Sequence, residues 1–210
     1  MSMHTRSKLE EAGYFLEVLT KTKDDLKPFY FNLSAFLNAW RSVLDVMLYD
    51  FAEYYSLGFT REDLMTDQCF MAVAKALKHR EALGFIKWWR QKQGDLKQNP
   101  LWGKRILIVH RGYPTVSSTK IFYVSGSGGT SITTTPPIYA SEWSVDFTEG
   151  AVSTSTTTTA TTTTTMPEGE ITTNYFSDFT DRTVTDMCIK TFREMEAIVN
   201  EAEKEFEVKL

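Results

Sequence analysis

The chain has 210 residues, of which 42% are hydrophobic and 24% charged, a composition that supports a sizeable core in one domain or at most two. No apolar run approaches the roughly 20 residues that span a bilayer, and the opening MSMHTRSKLEEAGYF lacks the apolar region of a signal peptide, so a cytoplasmic chain with no membrane contact is expected. The net charge of -4 is unevenly spread: residues 1–115 carry 17 Lys and Arg against 13 Asp and Glu, whereas residues 116–210 carry 6 against 14.

Taken in chain order, Leu9, Ala12, Phe15, Leu16 and Leu19 form the one-sided stripe of an amphipathic helix from Ser7 to about Thr22. After Pro28, apolar residues from Leu33 to Tyr55 keep helical spacing for about seven turns, which predicts a central core helix ended by Gly58. Thr60 with Asp63 reads as a capping start for a third helix bearing Leu64, Phe70, Val73 and Leu77. A fourth helix is expected over 79–97, with Leu83, Ile86, Trp89 and Leu96. Asn99-Pro100 then opens PLWGKRILIVHRG. The caps favour a short helix there, although the β-branched run Ile106 to Val109 also fits a buried strand.

From Val116 the composition shifts to Ser, Thr, Gly and alternating β-formers. KIFYV, SGSGG and TSITTT predict a hairpin, EWSVDF a half-buried strand, and ITTNYFSDF one strand more. The tract STSTTTTATTTTT at 153–165 has nothing large to bury and reads as an exposed edge or loop. Thr183 with Asp186 then caps a last helix whose stripe runs Val184, Cys188, Phe192, Met195, Val199, Ala202, Phe206. That stripe needs a large apolar partner, and only the N-terminal helices offer one. The expected architecture is therefore mainly α: a single domain over 1–210, built as a helical bundle with a Thr-rich β insertion at 116–179 before the C-terminal helix.

Few residues suggest chemistry. Cys69 and Cys188 lie among apolar neighbours on helical patterns, which predicts buried thiols, and the scattered His4, His79 and His110 give no zinc spacing. No metal or cofactor is expected. SGSGG is not a phosphate-binding loop, because no strand-to-helix frame and no following Lys-Ser/Thr accompany it. Between Lys75 and Arg111 stand ten basic residues against Glu81 and Asp95, with Trp88, Trp89 and Trp102 among them. Such a block suits either a polyanion or the solvated faces of two helices whose tryptophans fill the core. Within it, Arg105 and His110 pair a fixed cation with a base of near-neutral pKa, the groups that metal-free RNA cleavage requires. Arg41, embedded in the long apolar helix, needs a partner there; it is either a further site residue or, the preferred reading, half of a structural ion pair.

The segments FNLSAFLNAWRSVLDV, WWRQKQGDLKQNPLWGKRILIVHRGYP and YFSDFTDRTVTDMCIKTFREMEAIVNEAE resemble uncharacterised prokaryotic proteins related to the HEPN superfamily (higher eukaryotes and prokaryotes nucleotide-binding). The resemblance covers both helical ends and omits the Thr-rich insertion. It implies an up-and-down bundle, a homodimer, and in active members an Arg, four to six residues, then His motif that cuts RNA without metal. Arg105 and His110 match that spacing, and the residue after the arginine, commonly polar in active members, is Ile106. The implied protein is a toxin or defence ribonuclease in which His110 moves protons, Arg105 holds the scissile phosphate, and Lys104 and Arg111 bind the RNA backbone. An antitoxin-like protein partner goes with that reading. The alternative implied by the same resemblance is a catalytically inactive helical module that binds a protein partner or a nucleotide.

Overall fold

The computed structural model describes residues 4–60, 65–110, 116–123, 130–135, 155–156, 169–176 and 182–208. Among these the chain is mainly α, with six helices. They are α1 (Thr5–Lys21), α2 (Leu26–Tyr54), α3 (Asp67–Ala76), α4 (Arg80–Lys97), α5 (Pro100–His110) and α6 (Val184–Glu205). Four strands precede α6: β1 (Val116–Tyr123), β2 (Thr130–Thr135), β3 (Ser155–Thr156) and β4 (Gly169–Phe176). No helix among the described residues is long and apolar enough to cross a membrane.

Helix boundaries follow local chemistry. α2 starts before Pro28, at Leu26, because the Asp25 side chain accepts from the Lys27 N–H at 3.1 Å. Pro28 then falls in the first turn, where a missing N–H costs nothing. α2 ends at Tyr54, and Gly58 follows with φ of 78°, a left-handed backbone that glycine adopts without strain. α3 departs from the sequence expectation. Its cap is Thr66, whose hydroxyl accepts from the Cys69 N–H at 3.2 Å, and of the earlier pair Thr60 and Asp63, Asp63 lies outside the described residues. This later start places Phe70 and Ala74 on the buried face and leaves Cys69 exposed, correcting the expectation of two buried thiols. The Thr66 hydroxyl contact holds the Cys69 thiol below its ordinary pKa, whereas burial pushes Cys188 up. α4 is capped by His79, whose Nδ1 accepts from the Ala82 N–H at 3.3 Å. α5 settles the ambiguous PLWGKRILIVH segment as helix.

One continuous apolar cluster draws on α1 through α6 and on the sheet residues Val116 and Phe176. Trp40, Phe29, Phe36, Phe51 and Leu44 of α2 are fully enclosed, with Phe51 stacked on Phe85 of α4 at 3.8 Å between ring centroids. α1 and α2 form an antiparallel pair. Asp50, only 1% exposed, accepts from the backbone N–H groups of His4 and Thr5 at 2.8 Å and from the Thr5 hydroxyl at 2.6 Å, so the end of α2 supplies the cap for the start of α1. α6 lies antiparallel to α1, close enough that a Cβ at Gly13 would meet the Phe192 ring at 3.3 Å.

Three polar clasps fix α6. Arg6 of α1 forks onto Glu203, through Nε at 3.0 Å and a second short contact, and onto Asn200 at 2.6 Å. Glu201 receives the Trp88 indole N–H at 2.9 Å and the Lys92 ammonium at 2.7 Å. Asn99, while capping Leu101 with its oxygen, donates to Thr191 at 2.8 Å and to Glu194 at 2.9 Å.

The strands form one sheet in the order β3-β2-β1-β4, every neighbouring pair antiparallel. β1 and β2 pair as the expected hairpin, with Ile121 opposite Ile132. The SGSGG turn and the EWSVDF segment lie outside the described residues, as does all of the Thr tract except β3. The sheet is tied down at one end. The buried Val116 N–H donates to the Tyr30 hydroxyl at 2.9 Å, and Asn174 Nδ2 donates to the Lys23 carbonyl at 2.9 Å.

Two outcomes follow from these ties. Tyr30→Phe strands the buried Val116 N–H and is expected to cost about 1–3 kcal/mol in urea unfolding. Lys92 first, and then the Trp88 N–H, hold the Glu201 carboxylate below its ordinary pKa. The clasp's stabilisation is thus fully present above about pH 4.3, the unfolded value, and is lost as pH falls through the lower folded value. A melting-temperature gap between wild type and Glu201→Gln is expected at neutral pH and should close in scans at successively lower pH below that point.

Candidate functional site

α5 carries the candidate residues. Its Asn99 cap and Pro100 start the helix, and Leu101, with no exposed surface, anchors its inner face. Lys104 falls one turn further along that inner face. It is 8% exposed, and its ammonium lies 4.9 Å from the centroid of the Phe176 ring at the end of β4. Lys104 is thus enclosed between the bundle and the sheet, away from the open surface on which a phosphate contact was expected. Arg105, next along, is half-buried. Its Nε is enclosed and has no hydrogen-bond partner among the described residues. His110 closes the helix. Positions 105 and 110 are separated by about 140° around an ideal helix and about 7.5 Å along it. The side chain of His110 and all of Arg111 lie outside the described residues.

Beside Arg105 is a compact cationic and aromatic group. Arg41, on α2, stacks its guanidinium 4.5 Å over the Trp102 ring and pairs with Asp45 one turn away at 2.7 Å, the ion pair the sequence predicted. Trp40 meets Trp102 edge to face at 6.1 Å and 85°, and its own indole N–H is enclosed with no partner among the described residues. Trp102 and Arg105 stand three residues apart on α5, so two guanidinium-bearing positions and two tryptophans occupy one region of the α2–α5 contact. The role of Trp102 as a platform for Arg41 was not read from the sequence. Its one signal was Arg41 itself, placed one residue off the buried stripe of α2.

The basic block resolves into two groups. Trp88 and Trp89 point inward, Trp89 donating to the Leu44 carbonyl at 3.1 Å, and Trp102 packs against the core. Arg90 is paired with Asp67 at 2.7 Å and Lys92 with Glu201. Lys75, Lys78, Arg80, Lys87 and Lys97 are exposed. Base stacking by Trp88 and Trp89 is therefore not available in this fold, Trp102 is partly buried with Arg41 stacked over it, and the exposed cations of this block lie on α3, on α4 and in the turn between them.

A shallow groove of about 470 Å³ runs along α6, lined by Asp186, Ile189, Lys190, Arg193, Glu194 and Ala197. Neither Lys104 nor Arg105 reaches it, and all of its lining comes from one helix. Among the described residues no three His, Cys, Asp or Glu side chains converge as metal ligands.

Comparison of the chain with protein-family models, with curated proteins and with solved structures finds no match in any of the three.

Proposed function

We propose that the chain is a metal-independent ribonuclease of the HEPN toxin or defence type, an up-and-down helical bundle that acts in the cytoplasm as a homodimer. The observation that carries the reading is the placement of Arg105, half-buried on α5, in a helix that ends at His110. In the reaction, His110 takes the proton of a ribose 2′-hydroxyl, whose oxygen attacks the adjacent phosphorus. The bond from phosphorus to the 5′-oxygen breaks, leaving a cyclic phosphate on one product and a 5′-hydroxyl on the other. The partner's His110 protonates the leaving oxygen, and Arg105 stabilises the charge that gathers on the phosphoryl oxygens. Two protomers supply what one helix does not, since positions 105 and 110 diverge by about 140°.

A second reading has its own supporting observation. Lys104 is enclosed against Phe176 and Trp88 and Trp89 face inward, so three residues suited to RNA contact are engaged in the fold. That engagement favours a catalytically silent helical module that binds a protein partner or a nucleotide.

Purified protein incubated with end-labelled RNA in EDTA separates the two. Cleavage is expected in wild type, with a loss of about 10²–10⁴ in rate for His110→Ala and for Arg105→Ala. Cleavage that persists unchanged in both variants ends the ribonuclease proposal. Absence of cleavage on every RNA supports the binding module.

A further inference from the structure

The outward face of α4 is a straight file of Arg80, Gly84, Lys87, Gln91, Gly94 and Gln98, all exposed. With 100° per residue, every one of these positions lies within about 40° of a single line parallel to the helix axis, and the helix is about 27 Å long. No carboxylate and no apolar side chain lies within that 40°; the exposed Asp95 stands about 60° from the line and the exposed Glu81 about 100° from it. Arg80 and Lys87 make no ion pair or side-chain hydrogen bond among the described residues, whereas Arg90 and Lys92, on the flanks of the same helix, are paired with Asp67 and Glu201. The cations turned toward neighbouring helices are neutralised; those turned outward are not.

The two glycines add a second, independent feature. Glycine inside a helix costs about 1 kcal/mol relative to alanine, so an interior glycine usually marks a close approach. A Cβ built at Gly84 or at Gly94 meets nothing within 4 Å. At Gly13, by contrast, the added Cβ meets Phe192, and the glycine is explained within the chain. Among the described residues nothing approaches the bare backbone at 84 and 94, and the same holds at Gly103 on α5; the pair at 84 and 94 is distinguished by lying in one file with Arg80 and Lys87.

We infer that the outer face of α4 is a docking track for the sugar-phosphate backbone of RNA. Arg80 and Lys87 neutralise phosphates and Gln91 and Gln98 donate to backbone oxygens, while Gly84 and Gly94 let the strand lie close to the helix. The track rests on the RNA-directed reading of the protein, but it concerns binding away from α5 and makes no use of His110. Charge complementarity selects the occupant: an unneutralised cationic row calls for a polyanion. A lipid surface would need apolar side chains to insert, and a protein partner would need an aromatic or aliphatic anchor; the file has neither.

The test uses the full chain and a fluorescein-labelled single-stranded oligoribonucleotide carrying 2′-O-methyl groups, which cannot be cut through the 2′-oxygen, titrated at several salt concentrations. Wild type is expected to bind with a salt-dependent affinity. Arg80→Gln/Lys87→Gln is expected to weaken binding at least about tenfold at low salt and to reduce the slope of log affinity against log salt by about 1.4, the release of two phosphate contacts to a single strand. Gly84→Ala/Gly94→Ala is expected to raise the melting temperature by about 2–4 °C per glycine and yet to weaken binding, a combination that a purely structural role for the face does not produce. Failure of wild type to bind, unchanged affinity and slope in Arg80→Gln/Lys87→Gln, or binding of phosphatidylserine vesicles with no binding of the oligonucleotide overturns the inference. If unmodified RNA is never cut while α4-dependent binding persists, the ribonuclease reading falls and the track stands.

Discussion

The apolar stripe of α6, from Val184 through Cys188, Met195 and Val199 to Ala202, is the surface on which the start of the chain and its middle meet. Burying a side chain of that size contributes roughly 1.5–3 kcal/mol. Each partly exposed ion pair around it contributes at most about 1 kcal/mol. The stripe therefore supplies the attraction, and the clasps at Arg6, at Trp88 with Lys92, and at Asn99 fix how far along its axis α6 settles. A one-turn slip of α6 would keep much of the apolar contact but would leave the indole N–H of Trp88 and the guanidinium of Arg6 facing the wrong carboxylates.

What was legible in the sequence was whatever local rules decide. Periodicity located the helices, and the caps at Asn99 and Thr183 did for α5 and α6 what periodicity alone leaves open, because a side-chain oxygen three residues or fewer from an N–H acts without tertiary help. The misplacement of α3 has the same origin. Thr60 and Thr66 are both competent caps, and the choice between them is made by which start turns Phe70 toward Phe85, a contact between distant residues. The exposure of Cys69 follows from that choice, so its thiol was misread along with the boundary.

The candidate site was less legible for a related reason. Composition shows that cations and tryptophans are abundant between Lys75 and Arg111, but it does not show which face each takes. Lys92 and Arg90 are absorbed by carboxylates 109 and 23 residues away in the chain. Lys104 is absorbed by an aromatic ring on a strand that a sequence reading places in a separate insertion. Among the described residues, the basic character that remains outward is smaller than the composition suggests, and it lies along α3, α4 and the turn between them.

The attachment of the sheet has a mechanical meaning. β1 and β4 are both pinned at the same end, Val116 to the Tyr30 hydroxyl and Asn174 to the Lys23 carbonyl, while their paired far ends, Tyr123 and Gly169, are about 20 Å or more away at strand spacing. Among the described residues these ties hold the sheet at one end, as a cantilever is held. Force or binding at its tip is delivered at its root as a torque, and the root is where Phe176 presses on Lys104, the residue immediately before Arg105. The strand region is thus geared to the helix that carries the candidate chemistry.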